Sequence, residues 1–247
     1  MGFRHVVTIA AALTLAAAAS PQDPKPSKLI LDAVADAGRP AEDKARDVNR
    51  KPAETVAFAG VKPGDTVVEL LPGGGYYTRI LAKAVGPKGH VYTVVTPGQA
   101  QRPGGLDRIK GIIAPYPNVE LLVSDLAALT VPKPAKLVWT SENYHDMHNS
   151  PTMKAADINK SVFNILAPGG LYYVEDHSAP GTGITATSTL HRIDPQAVRD
   201  EVTAAGFKLE AETKLLANPA DPHTTRSTDP AILGHTDKFA MRFRKPK

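Results

Sequence analysis

The chain has 247 residues, a formal net charge of +4 and no cysteine. The missing cysteine excludes disulfides, a lipid anchor on cysteine and thiolate catalysis, and it sits easily with an oxidising compartment. Basic residues are scattered, with the terminal "RFRKPK" as the only cluster, so a charged edge explains them and no nucleic-acid partner is indicated.

At the N-terminus, Arg4 precedes an apolar run from Val6 to Ala19 that ends in small residues, the pattern of a secretory leader. Cleavage is expected after Ala19, because Pro21 disfavours a cut after Ser20. The run is shorter than the roughly 20 residues a membrane-spanning helix needs. The expected organisation is a signal peptide at 1–19, a linker and N-terminal helical lid at 20–60, and a main domain at 61–247. The expected location is periplasmic or secreted, with no stable membrane insertion after cleavage.

Further along, helical stretches are expected at Ser27–Ala37 and Glu42–Ala59. Apolar, β-branched runs then predict strands at Thr66–Leu71, His90–Val95, Val119–Asp125, Lys136–Glu142 and Leu171–Asp176. Helical patterns separate several of them, at Tyr77–Val85, Met153–Leu166 and Pro195–Ala205, the last opened by Asp194 as cap and Pro195 in the first turn. Continuous apolar strands between helices mean a parallel sheet covered on both faces. Phe207–Leu216 and Lys238–Arg244 differ, and predict an antiparallel pair finishing the sheet. In such a sheet ligands bind beyond the carboxyl ends of the strands, near the point where strand order reverses.

Two stretches put chemistry there. The first, "VVELLPGGGYYTRILA", ends an apolar strand in Glu69 and turns through Gly73, Gly74 and Gly75 into an amphipathic helix. Glycines at such a corner let backbone approach a bulky ligand, and the helix start offers free N–H groups to an anion. The second comprises "TSENYHDMHN" and "EDHSAPGTG", which place Glu142, Asn143, Tyr144, His145, Asp146, His148, Asp176 and His177 at one end of the sheet, following the fourth and fifth strands. "LHRIDP" adds His191 and Arg192.

Taken together, "VVELLPGGGYYTRILA", "GHVYTVV", "VELLVSDLAAL", "KLVWTSENYHDMHN", "ILAPGGLYYVEDHSA" and the closing strand pair resemble the class I S-adenosylmethionine-dependent methyltransferases. More narrowly they resemble a group of methyltransferases with secretion signals. The resemblance implies an α/β, Rossmann-like fold: a seven-stranded, mostly parallel sheet with an antiparallel C-terminal strand and helices on both faces. It implies S-adenosylmethionine as cofactor, its methionine portion held by Glu69, Gly73, Gly74 and Gly75, and its adenine contacted by Asp125. Asn143 and Tyr144 match a segment that lines the cofactor or the acceptor. The family's first corner glycine is Leu71 here, and its ribose-binding acid after the second strand is Val95, followed by Thr96, with Gln99 nearby.

A small-molecule acceptor would lie over the second stretch, with His145 as general base and Asp146 or Asp176 orienting it. The same side chains offer a second use, coordination of a divalent metal by His145 and His148 with Asp146, Asp176 or His177. The alternative function is an exported protein of the same fold that lacks transfer activity and binds another small ligand or a metal. Arg46 and Arg50, on the N-terminal helices, are candidates to line a lid over the cofactor, and Asp221–His223 reads as a turn before the last strand.

Overall fold

The computed structural model describes residues 24–150 and 153–247; the expected leader at 1–19 lies outside them. Seven strands form one sheet: β1 (Thr66–Leu70), β2 (His90–Val95), β3 (Val119–Val123), β4 (Ala135–Ser141), β5 (Leu166–His177), β6 (Lys208–Thr213) and β7 (Lys238–Arg244). Their order is β3-β2-β1-β4-β5-β7-β6. The first five pair in parallel, and β7 runs antiparallel to both β5 and β6. Order reverses between β1 and β4, which opens a crevice at their carboxyl ends.

The helices are α1 (Lys28–Val34), α2 (Ala41–Ala45), α3 (Asp47–Arg50), α4 (Pro52–Ala59), α5 (Tyr76–Ala84), α6 (Pro97–Ala100), α7 (Gly105–Ile113), α8 (Ala155–Ile165), α9 (Thr187–Leu190) and α10 (Pro195–Ala204). Alternate strand residues feed two cores. Val67, Val91, Leu137 and Tyr173 pack under α1, α4 and α5, while Val68, Tyr92, Val138 and Tyr172 pack under α8 and α10. The period of two along each strand thus supplies both faces of the sheet.

The expected helix over Glu42–Ala59 is broken. Proline disfavours helical geometry in the residue before it; Lys51, before Pro52, takes φ 41°, ending α3 and starting α4 at an angle. The α7 helix was not anticipated, because Pro103, Gly104 and Gly105 signal a turn and Gly105 is itself the first helical residue.

The long connection at 214–237 is pinned by a buried ion pair rather than by a strand. Arg192 donates to Asp221 at 2.8 Å and to the Thr225 carbonyl at 2.9 Å. Asp221 also accepts from the backbone N–H groups of His223 and Asp237. Both side chains are essentially sealed from solvent. Removing one partner of a buried pair leaves an uncompensated charge, so Asp221→Ala is expected to cost about 3–5 kcal/mol, read as a lower urea midpoint at unchanged slope.

Candidate active site

The corner after β1 is built on left-handed backbone. Leu71 has φ 54°, Gly73 φ 56° and Gly75 φ 75°. A leucine in that region is uncommon, so where the family has a glycine this chain keeps glycine-like geometry with a larger side chain. A Cβ on Gly75 would come within 2.4 Å of Ile112, which makes this glycine a packing requirement at the start of α5. A Cβ on Gly73 would meet nothing within 4 Å, because Gly73 borders a cavity.

That cavity, about 310 Å³, is floored by Glu69, Leu71, Gly73, Gly74 and Trp139 and walled by Arg46, Arg50, Tyr76 and Asn143. Glu69 is buried at the end of β1, where its Oε2 accepts from Thr78 Oγ1 at 2.6 Å and from Thr93 Oγ1 at 3.3 Å. Burial pushes the Glu69 carboxyl up to about 7, against the pull of those two hydroxyls and Arg79. The Trp139 indole N–H is buried without a hydrogen-bond partner. Asn143 Nδ2 donates to the carbonyls of Leu70 and Leu71, both at 3.3 Å, and its Oδ1 accepts from Thr140, so it ties the β1 end to the β4 end.

Two further cavities share walls with the first. One of about 430 Å³ extends past β2 and is lined by Gly73, Gly74, Val95, Gln99, Arg102 and Arg108. Thr96 and Gln99 close a capping box at the start of α6, the Thr96 N–H donating to Gln99 Oε1 at 3.0 Å. The other, about 590 Å³, includes Arg46, Arg50, Glu142, His145, Asp146 and His191, with Leu233 and Gly234 from the long 214–237 connection.

Arg50 forms the partition between the first and third cavities. Its guanidinium pairs with Glu142 and lies 4.8 Å and 5.5 Å from the ring centres of Tyr76 and Tyr77. Lys238 holds the other Glu142 oxygen at 3.1 Å. Burial raises the Glu142 carboxyl, but Arg50, Lys238 and His177 together leave it well below the usual carboxylate range.

His145 opens a 3₁₀ turn, His145–His148, that begins soon after Glu142 bends the chain at φ 56°. The fully buried Asp176 accepts from the His145 backbone N–H at 2.7 Å and faces its Nδ1 at 2.8 Å. Since a carboxylate only accepts, the His145 proton sits on Nδ1 and Nε2 faces the third cavity. Burial lowers the His145 imidazole, yet Asp176, Asp146 and Glu142 outweigh it and leave the ring above its ordinary value. His177, donating to or accepting from Thr236 at 2.8 Å, is pushed by burial down to about 4 and is neutral.

Of the residues expected at the site, Glu69, Gly73, Gly74 and Asn143 line the first cavity, His145 lines the third, and Asp146 borders both. Asp176 stands behind His145. Four of the expected residues have other roles. Tyr144 is fully buried in the core, its hydroxyl donating to Glu201 at 2.8 Å and accepting from Asn159 at 2.7 Å, so it walls no cavity. Asp125 caps the turn Leu126–Ala128, accepting from Ala127 N at 2.9 Å, and lines none of these cavities. Gly75 serves helix packing. His148 turns away to Glu201 at 3.2 Å, so it does not converge with His145. Sequence reasoning missed Trp139 and the 214–237 connection, whose only signal was length.

No family model matches the chain. A protein-L-isoaspartate O-methyltransferase from Ignicoccus hospitalis is 41% identical over 71 residues, 28% of this chain and 32% of that one. The ubiquinone/menaquinone biosynthesis C-methyltransferase UbiE of Ectopseudomonas mendocina is 29% identical over 196 residues, 76% of this chain and 66% of its own. The chain therefore spans less than two thirds of the length of either curated relative. Among solved structures, a SAM-dependent methyltransferase from Aquifex aeolicus matches with a TM-score of 0.59 at 16% identity, covering 83% of this chain and 98% of that one. With the strand order above, this establishes the class I methyltransferase fold.

Glu69 carries a pH signature of its own. Its carboxyl is raised on folding, so the native state binds the proton more tightly than the unfolded chain. The stability this contributes is fully present below about 4.5 and is lost as pH rises through about 7. Urea denaturation at pH 5 and pH 7.5 is expected to show this loss in the ligand-free protein, and Glu69→Gln is expected to flatten it.

Proposed function

We propose that the chain is an S-adenosylmethionine-dependent methyltransferase acting on a small-molecule acceptor held over His145. The observation that carries this is Glu69, a buried carboxyl at the end of β1 facing a cavity bordered by the open backbone of Gly73 and Gly74. The two curated relatives, both methyltransferases, support it.

The residues present fit the cofactor at its methionine end. Glu69 would take the ammonium group, the Gly73–Gly74 backbone and Arg46 its carboxylate, and the unpartnered Trp139 N–H gives the floor a spare donor. Gln99, bordering both the first and second cavities, stands closest to the ribose role that Val95 cannot perform. When bound, the cofactor supplies a methyl group on a positively charged sulfur. His145 Nε2 receives the proton that the acceptor loses, while Asp176 keeps Nδ1–H in place and stabilises the imidazolium that forms. Arg50 and Glu142 separate the two compartments without closing them from each other, since Arg46 and Asp146 also border both.

We also propose export, with residues 1–19 as a cleaved leader; N-terminal sequencing of the chain from the periplasmic fraction should begin at Ser20. A second reading, an anion-binding protein without transfer activity, is favoured by one feature: Arg102 and Arg108 line the second cavity where the family has an acid.

Calorimetry with S-adenosylmethionine and S-adenosylhomocysteine separates the two readings. Micromolar binding of both is expected, weakened by about tenfold or more in Glu69→Gln, because a charge-assisted contact is lost. Binding should also weaken as pH falls below about 7, where Glu69 takes up a proton. Absence of binding to either compound would overturn the transfer reading and leave the anion-binding one.

A further inference from the structure

We propose that His145, Asp146 and His191 form a zinc-type metal site opening into the third cavity. The donor atoms converge: His145 Nε2 lies 3.3 Å from His191 Nδ1 and 3.4 Å from Asp146 Oδ1, and His191 Nδ1 lies 3.9 Å from Asp146 Oδ1. Zinc bound to nitrogen and oxygen at about 2.0–2.2 Å with tetrahedral angles spaces its ligands by roughly 3.3–3.6 Å. Two of the three separations already have that value, and the third closes with a small swing of the half-exposed Asp146 side chain. Two imidazoles and one carboxylate suit zinc and its transition-metal neighbours, not calcium or magnesium, which require oxygen ligands.

The surroundings match what a metal-binding histidine needs. Asp176 fixes the His145 Nδ1 proton, which leaves Nε2 as the ligand atom; a carboxylate behind a ligating histidine raises its basicity and sets its orientation. His191 is held toward the site by left-handed backbone at φ 49°, directly after α9. Among the described residues only three protein ligands converge, so the fourth position faces the cavity, as in catalytic zinc sites. The remaining nearby histidines are engaged elsewhere: His148 with Glu201, His177 with Thr236 and His223 with Asp237.

One group opposes the metal. Arg226 donates to His191 Nε2, which places the His191 proton on Nδ1, the atom the metal needs. Arg226 is exposed and also bonded to Thr228 and the Thr189 carbonyl, so it must swing away as the metal enters and the proton moves to Nε2. The arginine is therefore a competitor, and its removal should tighten binding. If methyl transfer also holds, the metal takes the His145 Nε2 lone pair and replaces that ring as the group that removes the proton: an acceptor oxygen or nitrogen at the fourth position would be acidified there and release its proton to water in the open cavity.

The test uses zinc alone, so its outcome does not depend on the cofactor. The full chain is stripped with chelator and titrated with zinc against a competing chelator, in parallel with magnesium. One zinc per chain is expected, with magnesium at least about 100-fold weaker. His191→Asn, chosen because asparagine tolerates the left-handed backbone, and Asp146→Asn should each bind on the order of 100-fold more weakly with unchanged melting temperature in chelator. Asp176→Asn should weaken binding about 10–100-fold. His148→Ala should bind as the wild type does, and Arg226→Gln more tightly. Substoichiometric zinc, wild-type affinity in His191→Asn, or weaker binding in Arg226→Gln would each overturn the proposal.

Discussion

The site depends on a carboxylate held between two cations. Glu142 sits where the chain leaves β4 in left-handed backbone, with Arg50 on one oxygen and Lys238 on the other. Arg50 arrives from the end of α3 and Lys238 from the start of β7, so one side chain joins the N-terminal helices, the middle of the sheet and its antiparallel edge. A buried ion pair contributes little net stability by itself, but breaking one is costly. Its value here is positional: the tyrosine rings below Arg50 and the carboxylate beside it leave the guanidinium one place to lie, and that place separates the glycine corner from the histidine cavity. The same pair explains the neighbouring Glu175. Burial and then the charge on Glu142 push the Glu175 carboxyl up, with Tyr173 and Ser141 each donating to its Oε2 at 3.1 Å. Of the two adjacent acids, the one that holds the cations takes the charge.

How far the sequence revealed this follows from the range of the interactions involved. Strands β1, β2 and β7 were legible almost to the residue because β-branched runs and punctuating glycines are local signals. The glycine corner was legible for the same reason. Asp125 was not: an aspartate that caps a turn and an aspartate that contacts a ligand look alike in a sequence. Tyr144 was misplaced because its partners, Asn159 and Glu201, lie on α8 and α10, and nothing in "ENYHDMH" points to them. The 214–237 connection looked featureless since Arg192, its anchor, is 29 positions before Asp221. Polar pairings between distant segments have no period to detect.

The histidines show the same limit more sharply. The spacing of His145 and His148 suggested convergence, yet a 3₁₀ turn sends them to opposite sides, one to Asp176 and the other to Glu201. The residue that does meet His145 is His191, from a segment 46 positions away, carried there by the bridge between Ser178 and Ile193 that lays this segment beside the end of β5. Topology at the carboxyl edge of the sheet, not helical periodicity, assembles the cluster.

The departure at the second strand has an electrostatic consequence that weighs less than it first suggests. With Val95 in place of an acid, the ribose side of the crevice carries Arg102 and Arg108 and no carboxylate. A cationic cofactor would be repelled there, but both arginines are exposed, and charges in that setting exchange roughly 0–1 kcal/mol. Glu69 works in the opposite direction from a buried position, where an ammonium partner would reverse most of the desolvation that now raises its carboxyl. The capping box turns Gln99 Oε1 toward the Thr96 backbone N–H and leaves Nε2 as the free end, so ribose hydroxyls would meet a neutral donor instead of a charged acceptor. The crevice therefore concentrates its charge recognition at the Glu69 corner, and discrimination there rests on whether a ligand brings a cation to that carboxyl.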